Sequence, residues 1–139
     1  MEETLDELHK KLKSLADSIS SKLNEREGYL NKADEIQKVY DRMLNDKEII
    51  QEYKKDINSF YGKSYNDFKG NNFEYIYKPS VQDLKDSYNS VIHNIDLNLD
   101  ALNNKILEYK NKGANCLGPI GTLESAYNTV KTQIQNWTN

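Results

Sequence analysis

Thr4-Leu5-Asp6-Glu7-Leu8-His9-Lys10-Lys11-Leu12-Lys13-Ser14-Leu15-Ala16-Asp17-Ser18-Ile19 spaces its large apolar residues three, four, three and four positions apart. That alternation is the seam of a helix that buries one narrow stripe. Thr4 and Glu7 stand where a capping box would open the helix, each side chain serving the other's backbone N–H. Working outward, no proline occurs before Pro79, and Gly28 is the only glycine before Gly62. Breakers this sparse predict one helix from about Thr4 to Ile57, roughly 80 Å long at ~1.5 Å per residue.

Beyond Ile19 the stripe is predicted to change register, because Lys22 and Arg26 occupy the next positions. A second set, Ile19, Leu23, Leu30 and Ala33, takes over, and then Val39, Met43, Ile50, Tyr53, Ile57 and Phe60, interrupted at Asp46. Register jumps alter the local winding of a supercoil, so this helix is expected to meet different neighbours along its length.

Lys78-Pro79-Ser80 starts a second helix, predicted over about 81–112, with Ser80 and Asp83 as its cap and Gly113 closing it. It carries two seams that meet at Ile95: Val81, Leu84, Tyr88, Val91, Ile95, and Ile92, Ile95, Leu99, Leu102, Ile106, Tyr109. After Gly118-Pro119 a third helix, about 119–137, keeps heptad spacing at Ile120, Leu123, Tyr127, Val130, Ile134 and Trp137. Between the first two helices, Phe60-Tyr61-Gly62 and the Asn- and Gly-containing stretch through Phe68 to Asn72 read as a reversal. The fold class is therefore all-α: a long antiparallel helical hairpin with a short third C-terminal helix, forming a single elongated helical domain over 1–139. The third helix either extends the second along the first or folds back. In both cases the stripe Leu5, Leu8, Leu12, Leu15 and Ile19 is expected to be the surface that needs a partner from outside the chain.

Composition narrows the function. The 139 residues are 37% apolar and 29% charged with net charge −3, enough apolar material for a core and too little basic charge for a nucleic-acid partner. Residues 1–57 hold 11 Lys/Arg and 14 Asp/Glu, interspersed as on a solvated helix face. Apolar runs are short, so no membrane-spanning helix is expected, and the first residues lack the basic and apolar regions of a secretory signal peptide. Cys116 stands alone, which removes a disulfide framework and a cysteine-based zinc site.

Chemical motifs are sparse. Asp96-Leu97-Asn98-Leu99-Asp100 opens like a calcium loop but has Ala101 and Leu107 where the loop requires glycine and glutamate. His9 and His93 lack partners at ligand spacing, and no phosphate-binding glycine loop or nucleophile elbow is present. Cys116 has no identifiable base and reads as a buried or idle thiol. The chain is expected to be non-catalytic, without metal or cofactor.

A long acidic helix, the aromatic-x-Gly turn at Phe60-Tyr61-Gly62 and a second amphipathic helix resemble the small WXG-type helical hairpins of bacterial type VII secretion, with Phe60 in the tryptophan position. Gly62-Lys63-Ser64-Tyr65-Asn66-Asp67-Phe68, Ile95-Asp96-Leu97-Asn98, Asn104-Lys105-Ile106-Leu107-Glu108 and the Gly118–Trp137 tail are similar to the YwqH-like family, whose members are encoded beside LXG-type toxins in Gram-positive bacteria. The resemblance covers about residues 55–139. It implies an adaptor or targeting chaperone that binds the helical N-terminal domain of such a toxin, with a second small helical protein as a further partner. It also implies a cytoplasmic location and export with the toxin. The Tyr-x-x-x-Asp/Glu export signal of that system is absent from all ten tyrosines, so the signal would have to come from a partner. Two other classes fit the sequence: an immunity protein that binds a toxin's catalytic domain, and a self-associating coiled-coil scaffold. The expected register jumps at Ile19 and Ile95 argue against the scaffold.

Overall fold

Helix formation begins where the capping residues lie. In this computed structural model the Thr4 backbone N–H donates to Glu7 Oε2 at 3.1 Å, and the Glu7 N–H donates to Thr4 Oγ1 at 3.2 Å. Two backbone donors that the first helical turn cannot satisfy internally are thereby paired. Lys11 reaches back to Glu3 at 2.8 Å, the Glu7 carboxylate being engaged at the cap.

The structure describes residues 3–62 and 78–138. They form α1 (Leu5–Gly62), α2 (Lys78–Asn115) and α3 (Leu117–Thr138), so the described chain is all-helical. Among the described residues no helix is long and apolar enough to cross a membrane.

Three boundaries differ from the sequence expectation, each for a physical reason. α1 runs on to Gly62, so Phe60 and Gly62, expected in the reversal, belong to its last turns. Phe60 lies three positions past Ile57 and extends the apolar spacing, and glycine is well tolerated at a helix end. Phe68 and the rest of the expected reversal lie outside the described residues. α2 starts at Lys78, placing Pro79 in its first turn and Ser80 inside the helix instead of at its cap. Proline suits that turn because its φ is already helical and its missing N–H would have had no partner there.

The third boundary matters most. Gly113 is not a cap; α2 passes through it to Asn115, and α3 starts at Leu117, leaving Cys116 as the sole break. The Cys116 N–H donates to the Gly113 carbonyl at 3.2 Å, and the Cys116 carbonyl accepts from the Ile120 N–H at 3.0 Å. Helical bonding is barely interrupted, so the expected separate closing helix follows directly from α2. Glycine at 113 answers a packing need. A Cβ there would sit 3.0 Å from Leu30 Cδ2 and 3.8 Å from the Arg26 carbonyl oxygen.

The chain divides into two compact units. The first comprises Met1–Glu35 with Lys105–Asn139, the second Ile36–Asn104. In the first unit Tyr29 meets Tyr109 with ring centroids 6.4 Å apart, and Leu30 meets Gly113. Lys22 and Cys116 line one depression further along. Taken by backbone position, Tyr29 by Tyr109, the Arg26 carbonyl by Gly113 and Lys22 by Cys116 fall along α1 as α2 advances, so the end of α2 runs antiparallel to α1 here. Leu8, Ala33, Ile106, Cys116, Ile120 and Val130 are buried in this unit. The second unit buries Val81 and Leu99, and Lys47 Nζ is 2.6 Å from Asp96 Oδ1.

Two glycines in helical interiors should respond in opposite ways. At Gly28 nothing lies within 4 Å of an added Cβ, so Gly28→Ala should stabilise by roughly 0.5–1 kcal/mol through helix propensity. Gly113→Val should destabilise by roughly 1–3 kcal/mol, because a Cβ alone already meets Leu30 Cδ2 at 3.0 Å and valine adds two methyl groups beyond it. Thermal melts of the two variants check the pair, and a rise in melting temperature for Gly113→Val would refute the close approach.

Candidate functional site

The residues sheltered from solvent settle the seam of each helix. On α1 the buried and half-buried positions include Leu5, Leu8, Leu12, Leu15, Ile19, Lys22, Arg26, Tyr29, Ala33, Ile36, Tyr40, Met43, Lys47, Ile50, Lys54 and Ile57. They keep the alternation of three and four from end to end, so the expected register jump at Ile19 does not occur. Lys22 and Arg26 occupy the seam instead of ending it, since their long apolar stems can pack there. Lys22 hydrogen-bonds Glu25 at 3.0 Å, which raises its pKa above the ordinary lysine value. Arg26 is less well served: its Nε is buried without a hydrogen-bond partner.

α2 and α3 behave in the same way. Val81, Lys85, Tyr88, Ile92, Ile95, Leu99, Leu102, Ile106, Tyr109, Gly113, Cys116, Ile120, Leu123, Tyr127, Val130 and Ile134 are sheltered, again three and four apart. The expected second seam at Ile95 is therefore replaced by one continuous stripe that crosses the Cys116 break in phase.

This stripe decides the fate of the expected partner surface. Leu8 is 3% exposed, and Leu5, Leu12, Leu15 and Ile19 are half-buried. Within their unit the elements available to cover them are the end of α2 and α3, which buries Ile120 and Val130. Leu8 of the stripe expected to await an outside partner is thus buried within its own unit, while Leu5, Leu12, Leu15 and Ile19 stay part-exposed.

Large apolar side chains are exposed elsewhere. Val39, Leu44, Ile49, Tyr53, Leu84, Val91 and Leu97 lie in the second unit, with Tyr53 56% and Leu84 47% exposed. The sequence seams had counted Val39, Tyr53, Leu84 and Val91 as inward. Following the three-four spacing through Lys47, Lys54 and Lys85 would have placed them one position off the seam, on its flank.

The α1–α2 contact in the first unit is polar and aromatic. Lys112 Nζ lies 5.2 Å from the Tyr109 ring centroid and 5.9 Å from that of Tyr29, within range of cation–π attraction. Glu108 accepts from Lys105 at 2.9 Å and lies 3.4 Å from Lys112. These lysines, Lys105 first, hold the Glu108 carboxyl below its ordinary pKa.

The buried Cys116 thiol donates to the Lys112 carbonyl at 3.4 Å. His9 and His93 are exposed. Asp96 is paired with Lys47 and Leu99 is buried in the seam, so the segment that opens like a calcium loop is helix. Among the described residues no group of three His, Cys, Asp or Glu side chains converges. Shallow, open depressions lie among the described residues. One is lined by Lys10, Lys13, Ser14, Asp17, Ser18 and Ser21, another by Lys22, Glu25, Tyr29, Lys112, Asn115 and Cys116.

Two measurements check these assignments. Leu8→Ala should lower the unfolding free energy by roughly 2–5 kcal/mol, as for a buried leucine; an unchanged denaturation midpoint would return the stripe to the surface. For Glu108 a lowered folded pKa means stabilisation that is present above the unfolded value near 4.5 and lost as pH falls through the folded pKa. Wild type should therefore melt slightly above Glu108→Gln at pH 7, with the gap closing by pH 3.

Compared with known protein families, curated proteins and solved structures, the chain matches none.

Proposed function

We propose that this chain is a non-catalytic helical adaptor, a targeting chaperone that binds the helical N-terminal domain of an LXG-type toxin for type VII secretion. The observation that carries the reading is the set of half-exposed Ile49, Tyr53, Leu84 and Val91 side chains in the second unit. Paired helices that have already filled a seam between them, yet keep large apolar residues on its flank, suit docking of a further helix. The resemblance of residues 55–139 to the YwqH-like family supplies the toxin and secretion terms of the proposal.

In this reading the chain works as a long antiparallel hairpin of α1 against α2, with α3 continuing α2 as the third helix. It keeps the toxin's helical region soluble in the cytoplasm and accompanies it to the secretion machine, where a second small helical protein completes the complex. Neither nucleic acid nor a cofactor has a part. The unbroken three-four spacing of both stripes favours a second reading, a self-associating coiled-coil scaffold, because it removes the objection that register jumps had raised.

Co-expression with N-terminal and catalytic fragments of an LXG-type toxin separates the readings. The adaptor should co-purify with the N-terminal fragment, and capture by the catalytic fragment alone would sink it in favour of an immunity protein. A stable homodimer of the isolated chain at low micromolar concentration would favour the scaffold.

A further inference from the structure

The apolar stripes of the second unit decide which faces of α1 and α2 meet, but not how far along each other the helices lie. Apart from its lysines, the sheltered seam of this unit is built of Ile, Leu, Val, Tyr and Met side chains that recur with a period of seven. Burial of apolar surface is non-directional. Sliding one helix by a heptad brings the same kinds of side chain together, so this term alone selects no register.

Charge does distinguish the registers. Lys47 holds a seam position of α1, and its side chain is only 22% exposed. Its Nζ lies 2.6 Å from Oδ1 of Asp96, the residue that follows the seam position Ile95 on α2. In a heptad, that flank borders the seam of the partner helix. The same flank one heptad away is occupied by Asn89 and Asn103, and beyond Asn89 by Gln82, so of these four positions only Asp96 is acidic. A sheltered ammonium without a counter-charge is costly, and Lys47 meets one at a single point along this edge.

Lys47 stands about as far from the end of α1 as Asp96 does from the start of α2, as in an antiparallel pair. Counting away from them in opposite directions sets Lys54 level with Asn89, Tyr40 with Asn103 and Gly62 with Val81. A slide of one heptad that carries Lys47 to Asn89 takes Asp96 to Tyr40 and breaks the pair. The opposite slide offers Asp96 to Lys54, but it leaves the buried Val81 beyond the end of α1. We infer that the Lys47–Asp96 ion pair is a register lock, which holds α1 and α2 of this unit out of the slid alignment that apolar burial would accept. Its contribution is to specificity more than to stability, the use best suited to a charged pair at a helix seam.

The register can be read in the full chain from the distance between two spin labels, attached through Lys38→Cys on α1 and Ser87→Cys on α2 with Cys116→Ala. Lys38 and Ser87 are exposed and lie well off level, so a slide changes their separation. Asp96→Lys sets a cation against Lys47, and against Lys54 in one of the two slides. The helices should therefore move the other way, towards Tyr40, and shorten the distance by up to about 10 Å, seven residues at ~1.5 Å each. Lys47→Glu/Asp96→Lys re-forms the pair with its charges exchanged and should restore the original distance. An unchanged distance in Asp96→Lys overturns the lock, and so does a shortened distance that persists in the charge exchange. Should Asp96→Lys lose its helical circular dichroism, Lys47→Met/Asp96→Asn removes the pair without adding repulsion. A second, shorter distance then supports the lock. A single original distance overturns it, since a pair that only added stability would lower the melting temperature without moving the labels.

Discussion

Everything in this protein depends on a single stripe per helix being buried against another helix. The spacing of three and four along α1, and along α2 through α3, keeps the sheltered positions on one face of each helix. A stripe is narrow, so the remaining faces can be heavily charged without weakening the fold. That explains how a chain with 37% apolar residues sustains helices of 58, 38 and 22 residues. It also sets what can serve as a functional surface: whatever apolar material falls off the stripe is left for something else.

The α2–α3 junction shows how strictly the stripe is kept. Gly113 and Cys116 hold seam positions although neither is a usual core residue of a coiled coil. Glycine lets the backbone of α2 approach Leu30, and the cysteine fills a small space while its thiol takes up a carbonyl of the preceding turn. α3 therefore starts in phase, and Leu8 of α1 finds its cover within its own unit. The consequence for function is direct. Leu8, in the stripe that looked vacant, is core, and large apolar side chains stay exposed in the second unit.

Part of this was legible in the residues. The capping box at Thr4 and Glu7 and the all-helical class followed from local chemistry: side chains that bond their own backbone, and the scarcity of residues that break helices. The seam was misread at its charged positions. Lys22 and Arg26 were treated as ending the first stripe and Asp46 as a gap in a later one, while Tyr53 and Leu84 were counted as inward where Lys54 and Lys85 hold the seam. Side-chain charge was the wrong guide there, because a lysine or arginine stem is apolar over most of its length and only the head must stay wet.

The sequence by itself determined that the chain is helical, where its first helix is capped, and that its apolar residues recur at helical spacing. These are properties of a residue and its neighbours within a turn or two. The tertiary structure alone decided which register of that spacing is buried, that Gly113 is a close approach and not a stop, and that Leu8 faces inward. Those outcomes depend on what lies opposite each residue. A glycine reads as a helix end until a leucine from another helix fills the space where its side chain would be, and a leucine looks open until a distant part of the chain closes over it.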